Sequence, residues 1–419
     1  MQSFNKIIGY ETIKKELYQV IDIFKNKEKY VKMGAKLPNG LLIYGEPGLG
    51  KTMLAKAVIE ECNVKTYYIN NTLFKNELIK QINTSFLNAS KDEKAIVFLD
   101  DMDKYCEENE ESYDSRVFVS IQTNIDSVKD KDVLVIATVN NAKKLPESLV
   151  RSGRFDRQIN VERPSNQDAA KIIKYYLKDK NVSDNLNIED VSRMINYKSC
   201  ADLEKIINES SIYAAYEGKD KIDIEDITKA YVRNEYDLCD DEYQCSEEEV
   251  EKTALHEAGH VVVAEALKEG SVGFVTIKPA NEDMMRGFTN IYNRLKRRPE
   301  NVLVGLAGKV ACEQFYEGRC ASGCLSDLMK VSAMIKQGID MNGTMGIGLL
   351  SVSGEHDAYS DNAIRTEIER HMFMVKDILI KNKDFLLSIA KELAKKRQLY
   401  YSDIKRIREA NKLVPFTLF

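Results

Sequence analysis

The sequence predicts a multidomain chain: an α/β nucleotide-binding domain followed by an all-helical stretch, then a mainly α-helical domain built around a metal-binding helix. Three observations predict it. A glycine-rich phosphate loop stands between an apolar strand and a helix. Apolar strands alternate with helical stretches up to about residue 160, which implies a mainly parallel sheet with helices on both faces. The second half carries a His-Glu-x-x-His stretch on a helix. A chain of 419 residues has room for two to four such domains.

Composition narrows the function. A net charge of −5 argues against a nucleic-acid partner. No run of about 18 apolar residues exists, so no membrane span is expected, and the N-terminus lacks the apolar centre of a signal peptide. The eight cysteines are scattered without C-x-x-C spacing. With the missing signal, this favours reduced thiols and a cytoplasmic protein.

In chain order, residues 10–25 have helical periodicity, and residues 41–44 form an apolar strand. That strand runs into Gly45-Glu46-Pro47-Gly48-Leu49-Gly50-Lys51-Thr52 and a helix over about 53–60. Glycines let backbone N–H groups curl around phosphate oxygens at a helix N-terminus. Lys51 is then placed for the β/γ-phosphates of ATP, and the Thr52 hydroxyl for Mg²⁺. A strand is expected at 66–69, followed by a helical stretch. Another at 95–99 ends in Asp100-Asp101, with Asp100 toward Mg²⁺ and Asp101 toward the attacking water. A strand at 133–138 leads to Asn140, whose amide can orient that water.

The stretch Arg151-Ser152-Gly153-Arg154-Phe155-Asp156-Arg157 completes a pattern. Residues 4–157 resemble an AAA+ ATPase, and this segment looks like its second region of homology. The resemblance implies that Arg154 and Arg157 act in trans on a neighbouring subunit's γ-phosphate. It therefore implies a ring, expected as a homohexamer. Residues 166–234 read as all-helical, at 168–177, 188–195, 201–216 and 224–232. Cys200-Ala201-Asp202-Leu203 resembles the Gly-Ala-Asp-Leu of the family's lid, with Cys in place of Gly.

An acidic run at 235–249 reads as a linker, and Ser246 before three Glu caps the next helix. On that helix His256 and His260, four apart, share a face and can bind one metal ion, while Glu257 serves as general base. Spacing leaves the third ligand open among Asp327, Glu313 and Glu317. Val263 and Ala266 exclude the metzincin pattern. This order of modules is similar to the FtsH family of ATP-dependent zinc metalloproteases, nearly end to end. In that resemblance Ser322-Gly323-Cys324-Leu325-Ser326-Asp327-Leu328 stands for a T-G-A-S-N-D-L-like segment, which makes Asp327 the third Zn²⁺ ligand. Cys320 and Cys324 lie near the same place.

The implied architecture is an α/β P-loop AAA+ domain with helical lid (1–165 and 166–234), a linker (235–249) and a mainly α-helical zinc metallopeptidase domain (250–419). The implied activity is ATP-dependent hydrolysis of unfolded or tagged polypeptides. Alternatives are an ATP-independent peptidase with a regulatory nucleotide-binding ring, or a remodelling protein with structural zinc. Departures from the family are the lack of an N-terminal anchor, which leads to the expectation of a soluble form, and Asp101 where Glu is usual. A third is a glycine-free pore-loop region, where Phe74 or Leu78-Ile79 would substitute. The segment 273–278 has strand character and offers an edge for an extended peptide, or plain core sheet. Helices are expected at 300–316, 325–339, 363–380, 385–396 and 401–410.

Overall fold

Strands buried on both faces read as unbroken apolar runs, and strands at a sheet's edge do not. The computed structural model, which describes residues 3–69, 75–106, 115–151, 153–236, 246–278, 287–292, 295, 298–316, 324–340 and 358–418, follows that rule. The chain forms two compact units, Met1–Lys180 with Tyr197–Asn208, and Asn181–Asn196 with Glu209–Phe419. Residues 166–234 contribute to both.

The first unit runs α1 (Glu11–Lys25), α2 (Lys27–Lys32), β1 (Gly40–Tyr44), α3 (Lys51–Cys62), β2 (Lys65–Ile69), α4 (Lys75–Ala89), β3 (Ala95–Leu99), α5 (Ser115–Ser127), β4 (Val133–Val139), β5 (Arg157–Asn160) and α6 (Asn166–Leu177). The strand order is β2-β3-β4-β1-β5, parallel at every pairing. The side chains of β3 and β4 are buried throughout, whereas β2 and β5 at the edges are mixed. One face of the sheet packs on α4 and α5 through Phe86, Phe118 and Ile121. The other packs on α1 and α3 through Leu17, Leu54 and Val58. Order reverses at β1, so its C-terminal end is the topological switch point where ligands bind in such sheets. The pore-loop expectation needs correction on α4. Leu78 belongs to the core and Ile79 packs against it, so neither is available to grip a substrate. Phe74 lies outside the described residues.

After α7 (Ile188–Met194) and α8 (Cys200–Tyr216) come α9 (Ile224–Tyr236), α10 (Glu247–Leu267), β6 (Val272–Thr276), β7 (Phe288–Ile291), α11 (Arg298–Phe315), α12 (Leu325–Asp340), α13 (Ala358–Lys381), α14 (Lys383–Lys396), β8 (Gln398–Tyr400) and α15 (Tyr401–Asn411). Residues 237–245 of the acidic linker lie outside the described residues. Ser246 caps α10 as expected. Its hydroxyl accepts the Glu249 N–H (3.2 Å) while Glu249 Oε2 accepts the Ser246 N–H (3.1 Å). Helix α10 is buried along most of its length and packs on α11 where Gly259 lies against Ala307 and Ala311.

The small antiparallel sheet corrects one expectation. Its order is β7-β6-β8, so β6 is the central strand, paired on both sides and buried throughout. It offers no free edge to a peptide. The half-buried β7 takes the outer position among the described residues.

A buried ion pair ties α10 to α15. Glu265 (1% exposed) accepts the Gly270 N–H at 2.9 Å and the Val272 N–H at 2.8 Å, and it also binds Arg408. Removing one partner of such a pair strands a charge in the core. We expect Arg408→Ala to cost about 3–5 kcal/mol, read by denaturant unfolding of the full chain. A loss under about 1 kcal/mol would mean that water reaches Glu265.

Candidate functional site

The phosphate loop connects β1 to α3. Gly50 takes φ 84° as the N-cap of α3, a left-handed backbone that only glycine adopts cheaply. Leu49 is buried, so only its backbone can face a phosphate. Lys51 is 5% exposed, and its Nζ donates to the Glu46 carbonyl and to Asn140 Oδ1, each at 2.8 Å. Burial pulls this ammonium below its usual pKa, against the opposing charges of Asp101, Asp103 and Asp100. Asp100 Oδ1 accepts from Thr52 Oγ1 (2.9 Å) and from Thr138 Oγ1 (2.5 Å). Thr138 Oγ1 in turn accepts the Asp101 N–H at 2.8 Å. Thus Thr52, Asp100 and Asp101 are joined through Thr138, Lys51 and Asn140 are joined to each other, and the Lys51 ammonium feels the charges of Asp100 and Asp101.

Asp101 stands at φ 47° and its carboxylate pairs with Lys104 at 2.7 Å. Two contributors escaped the sequence reading: Thr138, and Asp103, whose Oδ2 accepts the Asn140 N–H at 3.2 Å. The two arginines hold other partners. Arg154 donates to Asp126 (2.8 and 3.2 Å), which drives the Asp126 carboxyl down to about 2. Arg157 donates to Gln19 Oε1 at 2.7 Å.

In the second unit, α10 brings His256, Glu257 and His260 to one place, and α12 adds Asp327 in its first turn. The three ligand atoms form a small triangle: His256 Nε2 to His260 Nε2 3.1 Å, His256 Nε2 to Asp327 Oδ2 3.2 Å, and His260 Nε2 to Asp327 Oδ2 3.3 Å. An ion held tetrahedrally about 2.0 Å from its ligands sets them about 3.3 Å apart, so the triangle fits zinc. Burial works to raise the Asp327 carboxyl, but the two imidazoles beside it, His256 and His260, outweigh burial whenever they carry a positive charge and hold the carboxyl well below the usual range. Among the described residues this is the cluster of three ligand-type side chains. Glu313 instead pairs with Lys309, and Glu317 and Cys320 lie outside the described residues. Cys324 faces the other nitrogen of His256 and is not a corner of the triangle.

Supporting contacts orient these groups. His260 Nδ1 lies 2.7 Å from the Val304 carbonyl, so it carries the proton and leaves Nε2 with a lone pair for the metal. Glu257 is 5% exposed, and Oε2 accepts from Thr289 Oγ1 of β7 at 2.8 Å. Gly308 of α11 is required by close approach: a Cβ there would stand 2.4 Å from His256 Cε1. Backbone acceptors and strand neighbours leave no spacing signal, so Val304 and Thr289 were invisible in the sequence.

A phosphate-loop ATPase sheet and a His-His-Asp metal centre beside a buried Glu define an ATPase joined to a metallopeptidase. The ATPase family associated with various cellular activities (AAA) matches residues 41–163, and Peptidase family M41 matches residues 243–407. The ATP-dependent zinc metalloprotease FtsH of Lachnoclostridium phytofermentans is 32% identical over 96% of this chain and 74% of its own length. That of Leuconostoc mesenteroides is 30% identical over 96% of the chain and 63% of its own length. FtsH 2 of Symbiobacterium thermophilum is 28% identical over 97% and 75%. The chain belongs to the FtsH family of AAA+ zinc metalloproteases. Among the described residues, no helix is long and apolar enough to cross a membrane.

Proposed function

We infer that this protein is an ATP-dependent zinc metalloendopeptidase that works as a ring, a homohexamer, on unfolded or tagged polypeptides. The observation that carries it is the 3.1–3.3 Å triangle of His256, His260 and Asp327, with Glu257 on the helix of the two histidines. His256, His260 and Asp327 would hold zinc, which would supply Lewis-acid polarisation of the scissile carbonyl and a more acidic water. Glu257 takes the proton from the attacking water and returns it to the leaving amine. Thr289 holds that carboxylate in place, and its strand, β7, is where an extended substrate would pair.

In the nucleotide module, residues 45–50 and Lys51 would hold the ATP phosphates, and Thr52 with Asp100 the Mg²⁺. Asp101 and Asn140 would position the attacking water. Arg154 and Arg157 act on the neighbouring subunit's nucleotide, which makes the ring necessary for turnover. The domain plan is 1–165 and 166–234 for ATPase and lid, 235–249 for linker, and 250–419 for peptidase. Free thiols at Cys62, Cys200, Cys312 and Cys324 support a reducing, cytoplasmic setting.

Incubating the zinc-loaded protein with an unstructured polypeptide and with a stably folded, tagged one, each with and without ATP, tests this. Both substrates are expected to disappear only with ATP. Nucleotide-independent loss of the unstructured one alone would leave a peptidase with a regulatory ring.

A further inference from the structure

Neutral histidine offers Nε2 to a metal only while its proton sits on Nδ1, and an acceptor at Nδ1 holds both tautomer and ring. For His260 that acceptor is the Val304 carbonyl. For His256 an atom found at Nδ1 is a sulfur: Cys324 Sγ, 3.8 Å away, inside the range of hydrogen bonds to sulfur. Cys324 is buried, and its carbonyl accepts the Leu328 N–H at 3.0 Å. The thiol therefore sits at the head of α12, the helix that delivers Asp327. The same ring lies against the α11 backbone at Gly308. In the segment this stretch resembles, the position is alanine, so the thiol is a departure of this chain.

We propose that Cys324 is a positioning residue for His256: its sulfur accepts the Nδ1–H, fixes the tautomer that presents Nε2, and couples the ring to the helix carrying Asp327. It touches the ligand and not the metal. The proposal rests on the zinc reading above.

The test is chelator titration of the zinc-loaded full chain. Cys324→Ala is expected to weaken zinc binding about tenfold or more, and Cys324→Ser, which keeps an acceptor, to stay within a few-fold of wild type. Cobalt-loaded wild type is expected to lack a thiolate-to-cobalt charge-transfer band. Zinc held as tightly by the Ala variant, or equally weakly by Ser and Ala, would overturn the role. A charge-transfer band would replace it with direct ligation. Failure of the zinc reading itself would look different: wild type without stoichiometric zinc, or His260→Ala binding zinc as wild type does, would remove the metal centre and this role together.

Discussion

Glu257→Gln is expected to lower peptide hydrolysis by about 10²–10⁴-fold while leaving the zinc content at its wild-type value. Glutamine preserves the shape of the side chain and an oxygen to accept from Thr289 Oγ1, which now stands 2.8 Å from Oε2. It loses the basicity that removes a proton from water. Glu257 is not among the three residues whose ligand atoms converge, so its replacement does not open the triangle. Cleavage of an unstructured polypeptide and metal analysis on the same sample make the comparison. Undiminished cleavage would sink the general-base assignment. Zinc lost in parallel with activity would make Glu257 part of the metal's support instead.

The chemistry of both sites was legible in the sequence where side chains recur at fixed chemical spacing. His256 and His260 must lie four apart on one helix face, and the phosphate loop must pass from strand to helix. Central strands were legible too, because β3 and β4 are buried on both faces and read as apolar runs, broken only by Thr138 near the end of β4. Edge strands were legible only in part: β2 was expected at 66–69 and forms there, but β5 and β8 were not expected. In β5 only Ile159 is buried, and β8 is three residues long, so neither leaves a period to detect. The strand over 272–276 was recognised, but its place in the sheet was not. Its partners are β7 and β8, the latter more than 100 residues away, and a run of apolar residues carries no record of them. Asp327 needed the resemblance, since spacing left three acids open. The Val304 carbonyl at His260 is backbone, which any residue supplies, and only the packing of α11 on α10 reveals it.

The Lys51→Ala variant is expected to lose ATP turnover by at least about 100-fold, the scale on which one preorganised donor to a developing charge acts. The geometry says why the loss should be specific. Lys51 is buried, and its partners are a backbone carbonyl and the Asn140 amide, with no carboxylate in hydrogen-bond contact at its Nζ among the described residues. Such an ammonium is held at a desolvation cost, consistent with its lowered pKa, and arriving phosphates relieve that cost. Alanine removes an under-compensated charge, so unfolding of the chain should be unchanged or shifted toward greater stability. A merely structural lysine would behave in the opposite way. Denaturant unfolding and ATP turnover measured on one preparation separate the two. Lost stability with normal turnover would assign Lys51 to packing and strip the phosphate loop of its role. With stability kept and turnover gone, the same variant also sets the demand on ATP. Folded, tagged substrate is then expected to survive, since the proposed function assigns its unfolding to ATP hydrolysis and that hydrolysis to Lys51. Degradation of that substrate at the wild-type rate would mean that the peptidase module works without the ATPase.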